Sequence, residues 1–408
     1  MKYKILHTAD WHIGKKLHDY DMLGVHRQFF DWLAQVVKEE KIDLLLVSGD
    51  VFDQANPTNE ARSLYYSFLG TLCTLNCKVV ITGGNHDSPS MLNATDEILK
   101  YLNINVVGNF PVKKEDVLIP LQNQAQNPFL VIAAIPFLRD ADIRSFSINE
   151  TEADRLQQIR EGIKNVFDAT LELSQKVYPK VPVIAMGHLY VQGASISESE
   201  REIQVGNLAG FDVAEFNSGY SYVALGHIHK PQNVSGDNRV VYSGSPLPLS
   251  FSETNDRKRI IILEWEGSEF EFTEMEIPRF VHLLQIKGTY EHIEKALYKR
   301  LEENFDTDTL IELHMIEEEY SIEKPVMLEQ LVESFKPEKA RIIKYRYAFN
   351  SRMEGTAQIF ESNSGIEDLN PQEVFHRKLD AESFDEKARN LLEEAFNEIL
   401  QEIQQNEG

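Results

Sequence analysis

Apolar and polar positions follow two periods along the chain. Short strand-like segments recur at Lys2–His7, Ile42–Val47, Lys78–Thr82, Phe129–Ile135, Pro182–Met186, Tyr220–Leu225 and Val240–Tyr242, most of them apolar runs. All read as strands, and Ile42–Val47 reads as one buried on both faces. Longer stretches between them return an apolar residue every three or four positions. Val25, Phe29, Leu33, Val36 and Val37 form one helical stripe within Asp21–Glu40. Leu64, Tyr65, Phe68, Leu69 and Leu72 form a second, in a helix that starts at Asn56-Pro57-Thr58 with Pro at an early position. Ser88–Leu102 and Thr151–Gln175 complete the set, and residues 103–127 read as a strand and a polar loop. This β-α-β-α-β rhythm predicts a layered α/β domain with a largely parallel core. Arg259–Trp265 and Phe270–Glu276 then read as a hairpin turning at Gly267.

Near Ile277-Pro278 the pattern changes, which sets a first domain of residues 1–278. Val281–Ile286, Leu310–Ile316 and Ala340–Phe349 are strand-like; Ile293–Leu301 and Val326–Phe335 are helical. That is a small second domain, residues 279–350. Residues 351–370, rich in Ser, Asn, Gly and Glu, read as a linker. Two helices follow in 371–408, and Phe384, Ala388, Leu391, Leu392, Ala395, Phe396, Ile399, Leu400 and Ile403 share one apolar face. That face either folds back on the body or docks on a helix of another protein.

Composition narrows the class. The chain has 408 residues, 42% hydrophobic and 26% charged, as in soluble globular proteins. No apolar run approaches the roughly 20 residues of a membrane span, and the start MKYKILHTADWH enters a strand with no leader-like segment. Cys73 and Cys77 are the only cysteines, which excludes a thiolate-rich zinc site and fits a reducing cytoplasm. The net charge of −24 argues against holding nucleic acid by bulk electrostatics. Bound divalent cations would reverse the local potential, and the acidic residues concentrate in Glu302–Glu323 and after Glu361.

Candidate chemistry lies just past the strand ends. Asp10 and His12 follow the first strand, Gly49-Asp50 and Asp53 the second, Gly83-Gly84-Asn85-His86-Asp87 the third. His188 closes Pro182–Met186, and His227 and His229 follow Tyr220–Leu225. Taken singly, these have ordinary readings: Asp50 in a turn or helix cap, His12 or His188 as a structural histidine. Taken together, they occupy the edge where α/β sheets place ligands. Mixed nitrogen and oxygen donors without thiolates suit Mn, Fe or Zn, and one carboxylate bridging two ions is the layout of two-metal hydrolysis. Lys15, Lys16 and Lys230 lie beside these residues and are candidates for phosphate contact.

In this order, D-x-H, GD-x-x-D, GNHD, GH and GHIH resemble the motifs of calcineurin-like metallophosphoesterases. TADWHIG, SGDVFD, GGNHDS, GHLYVQGAS, ALGHIHKPQ and GSPLPLSF are similar, more narrowly, to the Mre-type nucleases, over the whole chain. The resemblance implies a layered β-sandwich flanked by helices, a small α+β cap domain and C-terminal helices. It assigns Asp10, His12, Asp50 and His229 to one metal, and Asp50, Asn85, His188 and His227 to the other. It makes His86 the proton donor to the leaving group, with Asp53 orienting it, and makes two Mn2+ the expected cofactors. It implies double-strand exonuclease and single-strand or hairpin endonuclease activity on DNA, in end processing, recombination and replication. The implied partners are DNA, a second copy through helices 57–75 and 88–102, and a long coiled-coil ATPase gripped by the C-terminal helices. Two other readings compete: a phosphodiesterase of the same superfamily with a non-DNA substrate, and a structural adaptor of the ATPase.

Overall fold

The structure is a computed structural model; it describes residues 2–143, 151–197, 199–200, 211–236, 238–266, 269–301, 307–350 and 396. Two compact units divide the chain, one of Met1–Gln285, Glu303–Glu312 and Lys336–Lys344, the other of Ile286–Glu302, Leu313–Phe335 and Tyr345–Gly408.

Two six-stranded sheets dominate the first unit. In spatial order the first runs Glu269–Glu276, Arg259–Glu266, Lys2–Thr8, Leu44–Ser48, Lys78–Thr82, Ile104–Val107. Its last four strands are parallel, and Arg259–Glu266 joins them antiparallel, with Lys4 opposite Glu264. The second runs Gln232–Asn233, Val240–Tyr242, Tyr220–Gly226, Val183–His188, Pro128–Ala134, Leu118–Gln122, parallel in its four central strands. Ile5, Leu44, Leu46 and Val80 of the first sheet pack on Ile132, Ile184, Met186, Ala224 and Val241 of the second. Helices Leu23–Glu40 and Asn59–Thr74 cover the outer face of the first sheet, and Glu152–Val177 covers that of the second through Ile159, Ile163, Phe167 and Leu171. The central strands are thus buried on both faces, which is why they read as apolar runs rather than alternating ones. The expected sandwich flanked by helices, with a largely parallel core, is the observed architecture.

Two local expectations need correction. Ser88–Leu102 is not one helix but two, Pro89–Asn93 and Asp96–Tyr101. Asn93 turns its side chain outward, accepting from Gly108 N (2.9 Å) and donating to Asn109 Oδ1 (2.9 Å), and the chain breaks after it. Pro57 precedes its helix instead of entering it. Thr58 is the cap, and its hydroxyl accepts from Ala61 N at 3.2 Å.

Beyond residue 278 a three-stranded sheet orders Val281–Gly288, Asp308–Glu317 and Ala340–Phe349. Helices Tyr290–Leu301 and Glu323–Ser334 alternate with its strands, as the pattern predicted. The linker 351–370 and the helices of 371–408 lie outside the described residues, Phe396 excepted. Among the described residues no helix is long and apolar enough to cross a membrane.

Candidate metal centre

The polar residues reach one place because parallel strands of both sheets end there. The first loop is held by Trp11, which is fully buried and packs edge-on against Phe30 (5.0 Å between centroids) and Phe68 (5.7 Å). Removing an aromatic anchor of this kind costs about 3–5 kcal/mol. With Trp11 turned into the helical layer, Asp10 and His12 on either side turn the other way. Their main chain is pinned to the next loop, Asp10 N to Gly49 O (3.1 Å) and His12 N to Asp50 O (3.0 Å). Asp10, His12 and Asp50 have φ of 52°, 46° and 47°. Side chains rarely adopt this left-handed region, and such strain, about 1–3 kcal/mol per residue, concentrates at functional sites.

Asp50 is the hub. Its Oδ1 accepts from His86 N (2.9 Å), and its Oδ2 lies 3.6 Å from His12 Nε2 and 3.4 Å from His188 Nε2. Gly84 lets the third loop approach this closely, because a Cβ there would stand 2.1 Å from Asp50 Oδ1 and 2.3 Å from Asp50 N. Asp87 ties the loops together, accepting from Val51 N (3.1 Å), Phe52 N (3.0 Å) and Gly84 N (2.9 Å). From the second sheet, His188 Nε2 meets Asn85 Oδ1 at 2.9 Å and His227 Nδ1 meets the same oxygen at 3.3 Å. His227 N donates to Asp10 Oδ1 (2.8 Å), and His12 Nε2 faces His229 Nε2 at 3.1 Å. Asp10, His12, Asp50, His188, His227 and His229 are all buried.

Hydrogen bonding shows what the cluster lacks. Ser48 O can only accept, so His188 Nδ1 donates to it (3.0 Å), and its Nε2 presents a lone pair to the oxygens of Asp50 and Asn85. The Asp53 carboxylate takes His12 Nδ1 (3.2 Å), so the His12 Nε2 lone pair faces His229. Asp10 Oδ2 and His227 Nε2 are buried without a partner. Asp10, His12 and His229 offer one group of donors within 4.8 Å of one another, and Asp10, Asp50 and His188 another. Donors facing donors in a buried space need positive charge between them, and hard oxygens with imidazoles fit divalent cations. Without a cation the charge must come from protons. Burial opposes a charge on His188, yet Asp50 and Asp10 outweigh it and hold the imidazole up to about 9. His12 is raised likewise, against burial, by Asp53, Asp50 and Asp10. Burial, with Asp50 nearby, pushes Asp10 up to about 7.

Asp53 meets both His86, which the resemblance has it orient, and His12. Its carboxylate goes to His12 and to Lys15 Nζ (3.3 Å), and despite burial these two cations hold it down at about 2. The link to His86 runs through the Asp53 main chain, whose carbonyl lies 2.8 Å from His86 Nδ1. The physical reason is proximity of charge: Lys15, itself a candidate for phosphate contact, and the buried His12 flank the carboxylate. Lys16 and Lys230 are exposed. A support around His229 escaped the sequence reading. Ser199 Oγ lies 2.5 Å from His229 Nδ1, Glu200 Oε1 accepts from His229 N (2.8 Å), and Glu253 and Lys258 sit behind Ser199. Its signal was faint: Ser199 and Glu200 among several serines and glutamates in sequence, and a Glu just past the GSPLPLSF run.

Comparison with known proteins agrees with this geometry. The calcineurin-like phosphoesterase family model matches residues 3–231, so the chain belongs to that family. Residues 279–383 match a second family model, described as the type 5 capsule protein repressor C-terminal domain. Three curated relatives, each named as the SbcD component of the nuclease SbcCD, place the chain in the SbcD branch. The Rhodobacter capsulatus protein is 34% identical over 69% of this chain and 71% of its own length. The Bacillus subtilis protein is 30% identical over 79% and 81%, and that of Escherichia coli K12 is 29% identical over 97% and 98%.

Proposed function

We propose that the chain is the nuclease subunit of an SbcCD-type complex and hydrolyses DNA phosphodiesters with two Mn2+ ions. The observation that carries this reading is the convergence of His12 and His229, Nε2 to Nε2 at 3.1 Å, beside Asp50 and the unpartnered Asp10 Oδ2. Asp10, His12, Asp50 and His229 would hold one cation, and Asp50, Asn85, His188 and His227 the other. The pair would supply Lewis acidity for the phosphate and lower the pKa of an attacking water. The chain's own groups do the rest. His86 Nδ1–H rests on the Asp53 carbonyl, and the ring in its imidazolium form would deliver the Nε2 proton to the leaving oxygen. Lys15, which reaches Asp53, and the exposed Lys16 and Lys230 would contact the phosphates.

The remaining assignments follow the same family. Residues 1–278 form the nuclease domain, 279–350 the cap, 351–370 the linker, and 371–408 the helices that grip the coiled-coil ATPase SbcC. The family match over 279–383 supports the cap and the start of that tail. Much of the DNA grip then comes from the partner, which reconciles an acidic chain with a polyanionic substrate. A homodimer through residues 57–75 and 88–102 is supported by Ile98, Tyr101 and Leu102, exposed by 67%, 91% and 39%.

The test compares linear duplex DNA with a small chromogenic phosphodiester, in Mn2+, with and without SbcC and ATP. DNA cleavage that His86→Ala abolishes while DNA binding persists is the expected result. Cleavage of the small ester alone would favour a non-DNA phosphodiesterase, and unimpaired cutting by His86→Ala would overturn the role of that residue.

A further inference from the structure

Behind His229 lies a buried charge pair that the catalytic reading does not use. Lys258 Nζ donates to Glu253 Oε2 (2.6 Å), to Ser245 Oγ (2.9 Å) and to His229 O (3.1 Å). Both side chains are buried. Glu253 Oε2 also accepts from Leu249 N (3.2 Å), which leaves Oε1 aimed at Ser199 Oγ, 2.5 Å away. Ser199 Oγ in turn lies 2.5 Å from His229 Nδ1. A buried carboxylate beside an ammonium is ionised, and despite its burial Glu253 is held below the usual carboxylate range by Lys258.

Ser197 and Ser250 also reach Glu253 Oε1, each at 3.3 Å. Ser197 Oγ lies 2.8 Å from Ser199 Oγ and donates to Glu200 Oε2 (2.7 Å). The shortest contacts, those of Ser199 with Glu253 and His229, therefore set the proton count. Ionised Glu253 can only accept, so the single Ser199 hydroxyl proton goes to it. Ser199 Oγ can then only accept from His229, whose Nδ1 must carry the hydrogen. The opposite arrangement, Ser199 donating to His229, would set two acceptors 2.5 Å apart at Glu253. With Nδ1 committed, the His229 lone pair sits on Nε2, facing His12. Glu200 fixes the same residue from its main chain, Oε1 accepting from His229 N (2.8 Å), while its Oε2 accepts from Ser197 N (2.6 Å).

We infer that Glu253, locked by Lys258, is a positioning residue that acts through Ser199 to hold His229 as the Nδ1–H tautomer, its Nε2 lone pair turned to the cation shared with Asp10, His12 and Asp50. This rests on the two-metal reading of the centre. Carboxylates and hydroxyls behind a ligating histidine raise its basicity and fix its ring, and losing one costs about 10- to 100-fold in metal affinity. Glu253 thereby sets the affinity of one half of the centre. His188 and His227 do not touch this chain of bonds; His188 rests on Ser48 O instead.

Ser199→Ala is the sharpest variant, because it cuts the relay and leaves the buried Glu253–Lys258 pair intact. Long-range proton–nitrogen spectra of the imidazoles, taken on the metal-free full chain, read the tautomer directly. His229 protonated at Nδ1 in the wild type, and losing that preference in Ser199→Ala, is the expected result. A His229 carrying its hydrogen on Nε2 in the wild type overturns the inference whatever cations do. Titration calorimetry with Mn2+ supplies the second readout. Ser199→Ala should weaken one of two sites by about 10- to 100-fold and leave the other, and Ser199→Thr, which keeps the hydroxyl, should restore it. The double variant Glu253→Gln/Lys258→Met, which avoids stranding one buried charge, should match Ser199→Ala. Equal Mn2+ binding by wild type and Ser199→Ala overturns the proposal. A wild type that binds no Mn2+ while keeping the Nδ1–H tautomer would instead fail the two-metal reading and leave the relay standing.

Discussion

The first sheet brings its polar side chains to the centre on main-chain scaffolding, whereas the second brings imidazoles fixed by partners from elsewhere in the chain. Asp10, His12 and Asp50 are locked by loop-to-loop bonds, Asp10 N to Gly49 O and His12 N to Asp50 O, and by Asp87 behind them. His188 leans on Ser48 O and His227 N on Asp10 Oδ1, both from the first sheet, while His229 leans on Ser199 and Glu200. The carboxylates thus come with their own frame, and His188 and His227 acquire theirs when the sheets pack. Strain at the centre follows the same division: Asp10, His12 and Asp50, with positive φ, belong to the first sheet, and of His188, His227 and His229 only His227, φ 97°, shares it. A centre assembled this way couples cation binding to the docking of two halves of the fold.

Asp50 is the residue both halves share, so Asp50→Asn should have the largest effect. It removes the carboxylate that faces His12 and His188, and both halves should lose their cation. The expected fall in DNA cleavage is at least about a thousand-fold, the size that several kcal/mol of lost metal-borne charge stabilisation implies. If calorimetry shows one Mn2+ still bound with unchanged affinity, Asp50 serves one half only and the shared-hub reading fails.

Gly226→Ala tests the docking of the sheets apart from the chemistry. A Cβ at position 226 would stand 1.8 Å from Ser48 O, main chain of the opposite sheet, and 3.0 Å from His188 Nδ1. Main chain cannot rotate away, so the sheets must separate locally, at a cost of about 3 kcal/mol. Gly70→Ala is the control: nothing lies within 4 Å of its Cβ and it sits inside helix Asn59–Thr74, so it should stabilise by roughly 0.5–1 kcal/mol. Urea midpoints of the two variants should move in opposite directions.

Cation removal addresses the same coupling. At a concentration near a hundred times the dissociation constant, Mn2+ should add about 2.7 kcal/mol to unfolding. Chelation should reverse it, and a midpoint indifferent to chelator would show that the halves dock without regard to the ion.

The same division explains what was legible in the sequence. Asp10, His12, Asp50, Asn85, His86, His188, His227 and His229 could be found because each directly follows an apolar run, so a local pattern marks its place. Their common destination is a consequence of parallel strands ending on one edge. The supports are different. Glu253 meets Ser199 across 54 positions, and nothing in either neighbourhood points to the other. The break at Ala94 was hidden because Asn93 bonds to Gly108, a partner that exists only after the chain returns. For Asp53, position told that it would face the centre, but not which histidine its carboxylate would take. That choice is made by Lys15 and His12, which crowd its oxygens once the loops are pinned.

Asp53→Asn therefore probes one cation site from the side of the first sheet, through His12, as Ser199→Ala probes the same site from the side of the second, through His229. It keeps an oxygen for His12 Nδ1 but removes the charge that makes His12 a strong donor. The affinity of the cation shared with His12 should fall by about 10- to 100-fold, with the other site unchanged. Stability against pH gives an independent reading on the metal-free chain. The Asp53 carboxyl sits at about 2, below its ordinary 3.8, so its contribution is complete above the ordinary value and is lost as pH falls through 2. The amount is about 2 kcal/mol. Asp53→Asn should flatten the stability curve by that amount across this window, and it should also soften the loss of stability as pH rises through the His12 range, because His12 is held up by Asp53. If instead the curve of the variant parallels the wild type below pH about 4, the Asp53–His12–Lys15 contact does not persist in solution, and the main-chain frame of the first sheet stands without it.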